Sequence, residues 1–230
     1  MGFFNLFNKP HLDNVELAYQ LLLVDCSEDP KYKNEVTKIL NSLPKDKYGN
    51  WDRELWLKKV IELADAPNTP KQRYILSTAY YYLGAKYRKE AIKYLSMYID
   101  NGIWNGLFLY APTHTLYDYQ KQNLVNTIYW LADCYEKEYN FNLALSCYEK
   151  MIEILPNYPS GYTGKAHLLV KQNNSKKCLD WLNSIKNSNL YKKYYYKDGL
   201  NNTIEDNEFM ITIDKLLKET EDKIKKRLCL

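Results

Sequence analysis

Residues 125–158 read VNTIYWLADCYEKEYNFNLALSCYEKMIEILPNY, and residues 159–187 continue PSGYTGKAHLLVKQNNSKKCLDWLNSIKN. A shift of 34 residues lays the first stretch on the second with large on large and small on small. Ile128 falls on Tyr162, Ala132 on Ala166, Tyr135 on Leu169 and Ala144 on Cys178. Leu145 falls on Leu179, Tyr148 on Leu182 and Met151 on Ile185. Within each stretch the apolar positions recur at helical spacing. A fixed period of this length marks one supersecondary unit repeated along the chain, here a helical hairpin. Ala132 and Ala144 let two helix backbones approach closely, while Tyr135, Phe141 and Tyr148 fill the seams beside them. Pro156 ends the second helix.

Outward from this pair, residues 70–101 carry the same order of positions in Ile75, Ala79, Tyr82, Ala91 and Leu95, with the two alanines 12 apart as in the strong hairpin. Helices are expected at Lys71–Leu83 and Arg88–Ile99, with a turn around Gly84. Residues 12–26, 30–43 and 51–64 also show helical spacing. Pro30 is placed to open a helix, and Asp52 can cap the helix that follows it. Residues 101–116 break the pattern with Gly102, Gly106 and Pro112 among Trp104, Phe108 and Tyr110. This segment reads as an insertion loop that either grips a ligand or packs its aromatic rings back onto the helices. Further helices are expected near 117–138, 142–155, 160–172 and 175–187. A Tyr- and Lys-rich connector over 190–202 precedes a last amphipathic helix near 205–228, and no strand pattern emerges.

The chain resembles the tetratricopeptide repeat family. The first helix of that motif carries a bulky residue, a leucine, a small residue and a tyrosine, matched by Ile128, Leu131, Ala132 and Tyr135. Its turn and second helix carry an aromatic, an alanine, an aromatic and a closing proline, matched by Phe141, Ala144, Tyr148 and Pro156. Tyr139 stands where the turn glycine is usual, Met151 replaces a small residue, and Lys165 and Thr78 replace the leucine. The resemblance covers 70–187, as repeats 70–101, 125–158 and 159–187 with the 101–116 insertion. It implies an all-α fold, a right-handed superhelix of stacked antiparallel hairpins. Residues 1–66 would then be degenerate N-terminal hairpins, and residues 188–230 a connector and a C-terminal capping helix with a polar outer face.

Composition narrows the function classes. Hydrophobic residues make up 46% of the 230, enough for a core, and the net charge of +4 requires neither a nucleic-acid nor a membrane partner. The five cysteines are odd in number and lack CxxC spacing, so a disulfide framework or zinc knuckle is not expected, and a reducing cytoplasm fits. No apolar run reaches 18 residues, and the Phe-rich start lacks a basic region and a cleavage site. Phe3, Phe4, Leu6 and Phe7 either touch a membrane surface or fold onto the first helices. His11, His114 and His167 lie far apart with no metal-ligand spacing, and phosphate-cradling and nucleophile-elbow motifs are absent. No cofactor or metal is expected, and Cys134 and Cys178 read as packing residues.

The family resemblance implies that the first helix of each hairpin lines a concave groove. The inward positions on that register are Arg73, Leu76, Ser77 and Tyr80, then Asn126, Tyr129, Asp133 and Glu136, then Thr163, His167 and Val170. Tyr129 and Asp133 stand where carboxylate-clamping members place Lys and Asn, so apolar or basic side chains suit this surface better. The alternative is that these tyrosines pack on the next helix or the 101–116 loop. The expected function is an adaptor that binds a protein or peptide. A peptide-responsive regulator and an enzyme with an unrecognised site near His114 are the other readings, and a homodimer is compatible with all three.

Overall fold

A computed structural model of the chain describes residues 12–23, 30–101, 118–197 and 200–228. It is mostly helical and divides into two compact units, Met1–Trp104 and Asn105–Leu230. Residues 102–116 of the expected 101–116 insertion, the N-terminal phenylalanines, His11, Cys26, His114 and Cys229 lie outside the described residues.

Unit 1 contains α1 (Asn14–Leu23), α2 (Pro30–Ser42), α3 (Arg53–Ala64), α4 (Pro70–Leu83) and α5 (Arg88–Asp100). Each start has a local cause. Pro30 opens α2, where a missing N–H costs nothing. The Asp52 carboxylate accepts from the Leu55 amide at 3.0 Å and caps α3. Thr69 and Gln72 form a reciprocal capping box ahead of Pro70, satisfying two otherwise orphaned amides of α4. Between α2 and α3 the Asp46 carboxylate accepts from the amides of Tyr48 (2.8 Å) and Asn50 (3.0 Å). These bonds hold its carboxyl below the usual range.

Leu17, Leu21, Val36, Leu57, Val60, Ile75, Leu76 and Ala79 form one buried cluster. Each large side chain there contributes about 1.5–3 kcal/mol of burial. The Trp56 indole N–H donates to the Leu21 carbonyl at 3.0 Å, pinning α3 to the end of α1. Helix α4 packs against α1, α3 and α5. The expected turn at Gly84 is present, with φ of 82°, followed by a short 3-10 turn at Ala85–Tyr87. Tyr82, at the repeat position of Tyr135, is 43% exposed and receives the Arg53 guanidinium over its ring at 5.4 Å.

Unit 2 contains α6 (Tyr119–Lys137), α7 (Phe141–Ile154), α8 (Pro159–Lys171), α9 (Ser175–Lys186), β1 (Tyr194–Lys197), β2 (Thr203–Asp206) and α10 (Glu208–Leu228). Along the chain α6 packs on α7, α7 on α8 and α8 on α9, and α10 then packs on both α8 and α9. The 34-residue repeat of the sequence is also a repeat of backbone geometry. Tyr139 and Asn173, 34 apart, both have left-handed φ, 59° and 65°. The Tyr139 amide donates to the Glu136 carbonyl and the Asn173 amide to the Val170 carbonyl, both at 3.1 Å. The next amides, of Asn140 and Asn174, donate to the Tyr135 and Leu169 carbonyls at 2.8 and 2.9 Å. Burial repeats as well: Ala132 with Ala166, Ala144 with Cys178 and Tyr148 with Leu182 are buried pair by pair.

The connector differs from expectation. Tyr194–Lys197 and Thr203–Asp206 pair as an antiparallel ribbon, Tyr194 opposite Asp206 and Tyr196 opposite Ile204. Tyr194, Tyr196 and Ile204 are half-buried while Tyr195 and Lys197 face water. That two-residue period extends over only four positions and is too short to stand out in sequence, although tyrosine favours strands. Asn201, at φ 66°, turns the chain between the strands. The Asp206 carboxylate accepts from the Glu208 amide at 2.8 Å, so the last helix begins at 208 rather than 205. Phe209, Ile213, Leu216 and Leu217 of α10 complete a core with Tyr162, Ala166, Leu169, Cys178 and Leu182. Among the described residues no helix is long and apolar enough to cross a membrane.

Candidate functional site: the α6, α8 and α10 face of unit 2

The inward positions expected in unit 1 are occupied by internal packing. Arg73 is 9% exposed. Its guanidinium donates to the carbonyls of Pro67 (3.2 Å), Asn68 (3.3 Å) and Asn101 (3.1 Å), tying the turn before α4 to the end of α5. Ser77 is wholly buried, and its hydroxyl donates to the Tyr74 carbonyl at 2.9 Å. The ring of Tyr80 stacks on Tyr94 with centroids 5.0 Å apart and planes 1° from parallel. Burial raises the Tyr80 phenol above its ordinary range. Arg73, Leu76 and Ser77 are thus buried within unit 1, while Tyr80 is half-buried.

Unit 2 brings its positions together. Asn126 is exposed, and its side-chain oxygen accepts from the Tyr158 hydroxyl at 3.3 Å. Tyr129 is 40% exposed, with its ring 6.2 Å from that of Tyr148. Asp133 pairs with Lys137 at 2.6 Å. Glu136 accepts from the Tyr148 hydroxyl at 2.7 Å and pairs with Lys171 of α8 at 3.3 Å. Burial, then the bond to Glu136, pushes the Tyr148 phenol far above its usual range. Thr163 is half-buried, its hydroxyl donating back to the Pro159 carbonyl at 3.2 Å. His167 is exposed and lies 3.7 Å from Glu219 of α10. Asn126, Tyr129, Asp133 and Glu136 therefore share one face of α6. Glu136–Lys171 links that face to α8, and His167–Glu219 links α8 to α10.

Three contributors escaped the sequence reading. The first is α10, read as a cap, which supplies Glu219, Lys223 and Lys226 to a cleft of about 480 Å³ against Ala166, His167, Val170 and Lys171 of α8. The second is Lys171, which bonds Glu136 and lies 5.2 Å over the Phe141 ring. The third is Gly164, where an added Cβ would sit 2.1 Å from the Tyr148 ring. Its signal was present, because a glycine inside a helical pattern often marks close packing.

The thiols are packed. Cys178 lies fully buried with its sulfur 3.7 Å from the Ala166 carbonyl oxygen and 3.6 Å from the Thr220 hydroxyl. Burial raises the thiols of Cys178 and of Cys147, the latter to about 11. Among the described residues no group of three or more His, Cys, Asp or Glu side chains could hold a metal ion. No protein-family model and no curated protein matches the chain.

Proposed function

We propose that the chain is a tetratricopeptide-type recognition module whose α6, α8 and α10 face receives a peptide segment of a partner protein, acting by binding rather than by catalysis. The observation that carries this reading is the 34-residue recurrence of sequence, burial and turn geometry across α6–α7 and α8–α9. Repeats of this kind stack side by side and present an extended surface. A superhelical stacking of the hairpins and a cytoplasmic setting belong to the same proposal.

The chemistry of the face points to a ligand with apolar side chains and hydrogen-bonding backbone. Asp133 and Glu136 are each met by a lysine, which leaves the half-exposed Tyr129 ring and the Asn126 amide to make contacts. Tyrosine anchors recur where such surfaces concentrate binding energy. The test is peptide-display selection on the full chain, followed by calorimetric titration of the selected peptides. Tyr129→Ala combined with Asn126→Ala should weaken them at least about tenfold, the scale of one well-placed anchor. Selected peptides that bind the double variant as tightly as the parent refute the assignment.

A further inference from the structure

We infer that the cleft between α8 and α10 is a binding site for a small amphipathic carboxylate, an apolar body bearing one anionic head. The proposal does not rest on the peptide reading. Its volume of about 480 Å³ falls in the range of small-molecule sites, about 300–1,000 Å³. Such sites combine an apolar lining with a few oriented polar groups.

The side chains are sorted along the cleft. Two cross-links set the register of its walls: His167 to Glu219 at 3.7 Å, and Asn173 to Arg227 at 2.7 Å. The helices therefore run parallel, with their C-terminal ends together. Ala166 and Leu216 are buried and Val170 is half-buried, forming an apolar floor. Lys171, Lys223 and Lys226 gather at the C-terminal end of both walls. Thr220 is no donor for a ligand, because its hydroxyl donates to the Leu216 carbonyl at 2.7 Å.

Charge selects the head group. Glu219 is met by Lys215 at 3.9 Å, and Lys171 by Glu136 at 3.3 Å. Lys223 and Lys226 make no hydrogen bond or ion pair among the described residues, and the one lining carboxylate besides Glu219 is Asp222. Two ammonium groups against one carboxylate leave a single positive charge, which suits a monoanion. A phosphate monoester carries about −1.5 to −2 at pH 7, more than this single positive charge balances, and lysines hold it only as point charges, without a bidentate fork. The one arginine of unit 2, Arg227, is not among the lining residues and donates to Asn173 at 2.7 Å. Lysines near helix C-termini also complement the helix dipole, but that role does not explain the apolar floor they adjoin.

The experiment is a methyl-resonance NMR titration of the full chain, labelled at Ala, Val and Leu, with octanoate, 1-octanol and octyltrimethylammonium in parallel. Octanoate is expected to shift the methyls of Ala166, Val170 and Leu216 saturably. Raised salt should weaken it, and Lys223→Gln with Lys226→Gln should weaken it at least about tenfold. Both lysines are exposed, so a matching thermal melt of the double variant establishes that the fold is kept. Octanol should be indifferent to the same change. The inference is overturned if octanol or the cationic amphiphile binds as tightly as octanoate. It is also overturned if the double variant binds octanoate unchanged, or if the shifts fall away from the three methyls. A capped Leu-Val-Glu peptide binding about tenfold tighter than octanoate would assign the cleft to a protein ligand and reject the small-molecule site.

Discussion

Gly164→Ala adds one methyl group at the α7–α8 seam of unit 2, and the structure states what that methyl meets. The new Cβ would lie 2.1 Å from Cε1, 2.4 Å from Cδ1 and 2.5 Å from Cζ of Tyr148. Carbon atoms in contact prefer about 3.5–4.0 Å, so the ring must retreat by more than about 1 Å. It is buried, and its hydroxyl is held by the Glu136 carboxylate at 2.7 Å. Overpacking of this kind costs about 1–3 kcal/mol. Losing a hydrogen bond to a charged group adds about 1.5–3 kcal/mol. Replacing a helical glycine by alanine returns about 1 kcal/mol. The expected net loss is about 1.5–5 kcal/mol, read as a lower urea midpoint of the transition followed by tryptophan fluorescence. A double-mutant cycle separates steric conflict from any general effect of the alanine. In a Tyr148→Ala background the space is open, and the same change should be neutral or stabilising by up to about 1 kcal/mol. Equal destabilisation in both backgrounds would falsify the account. Gly161→Ala meets Ile152 Cγ1 at 2.9 Å, Met151 Cβ at 3.2 Å and the Ile152 backbone nitrogen at 3.3 Å, a smaller overlap, and should cost less.

Tyr139 holds φ of 59° with 80% of its surface exposed, a conformation unfavourable for a side chain with Cβ and easier for asparagine. Tyr139→Asn, which copies Asn173 in the next hairpin, should stabilise unit 2 by about 0.5–1 kcal/mol in the same denaturation assay, and a loss would show that its ring contact with Phe141 outweighs the strain. The raised Cys147 thiol makes a pH prediction. Because its folded value, about 11, exceeds the ordinary 9.0, its contribution to stability is whole below pH 9 and is lost as pH rises through the folded value. Alkylation by iodoacetamide at pH 8, resolved by site with mass spectrometry, should be roughly a hundredfold slower at Cys147 in the native chain than in urea, and equal rates would contradict the burial.

How much of this fold was legible depended on the range over which a signal acts. Pro30 and Asp52 act within one turn of their own helix, and both open helices where expected. The repeat acts at a fixed offset, so comparing the chain with itself exposed it. The departure at Tyr139 was visible too, and its meaning is structural: the position keeps the left-handed turn that glycine would adopt most easily. The β1–β2 ribbon left little trace, since four residues per strand among many tyrosines give no periodicity to measure. Its register instead follows from pairing, with Lys193 held to Glu205 at 2.8 Å across the ribbon.

The candidate site divides along the same line. Positions 126, 129, 133 and 136 recur at helical spacing, so their common face on α6 could be read from α6 alone. What those side chains do is decided by partners far along the chain. Tyr158 reaches Asn126, Lys171 reaches Glu136 and Glu219 approaches His167. None of these pairs leaves a local pattern. The same reasoning explains Arg73 and Ser77. Their register on α4 was transferred from the strong hairpin, but a register states only which face a residue occupies. The Glu16–Lys71 ion pair ties α1 to α4, and the carbonyl at the end of α5 accepts from the Arg73 guanidinium. Arg73 and Ser77 thus spend their polar atoms on carbonyls of their own unit. Among the described residues, the register positions that stay exposed are Asn126 and Tyr129 on α6 and His167 on α8, with α10 completing the wall.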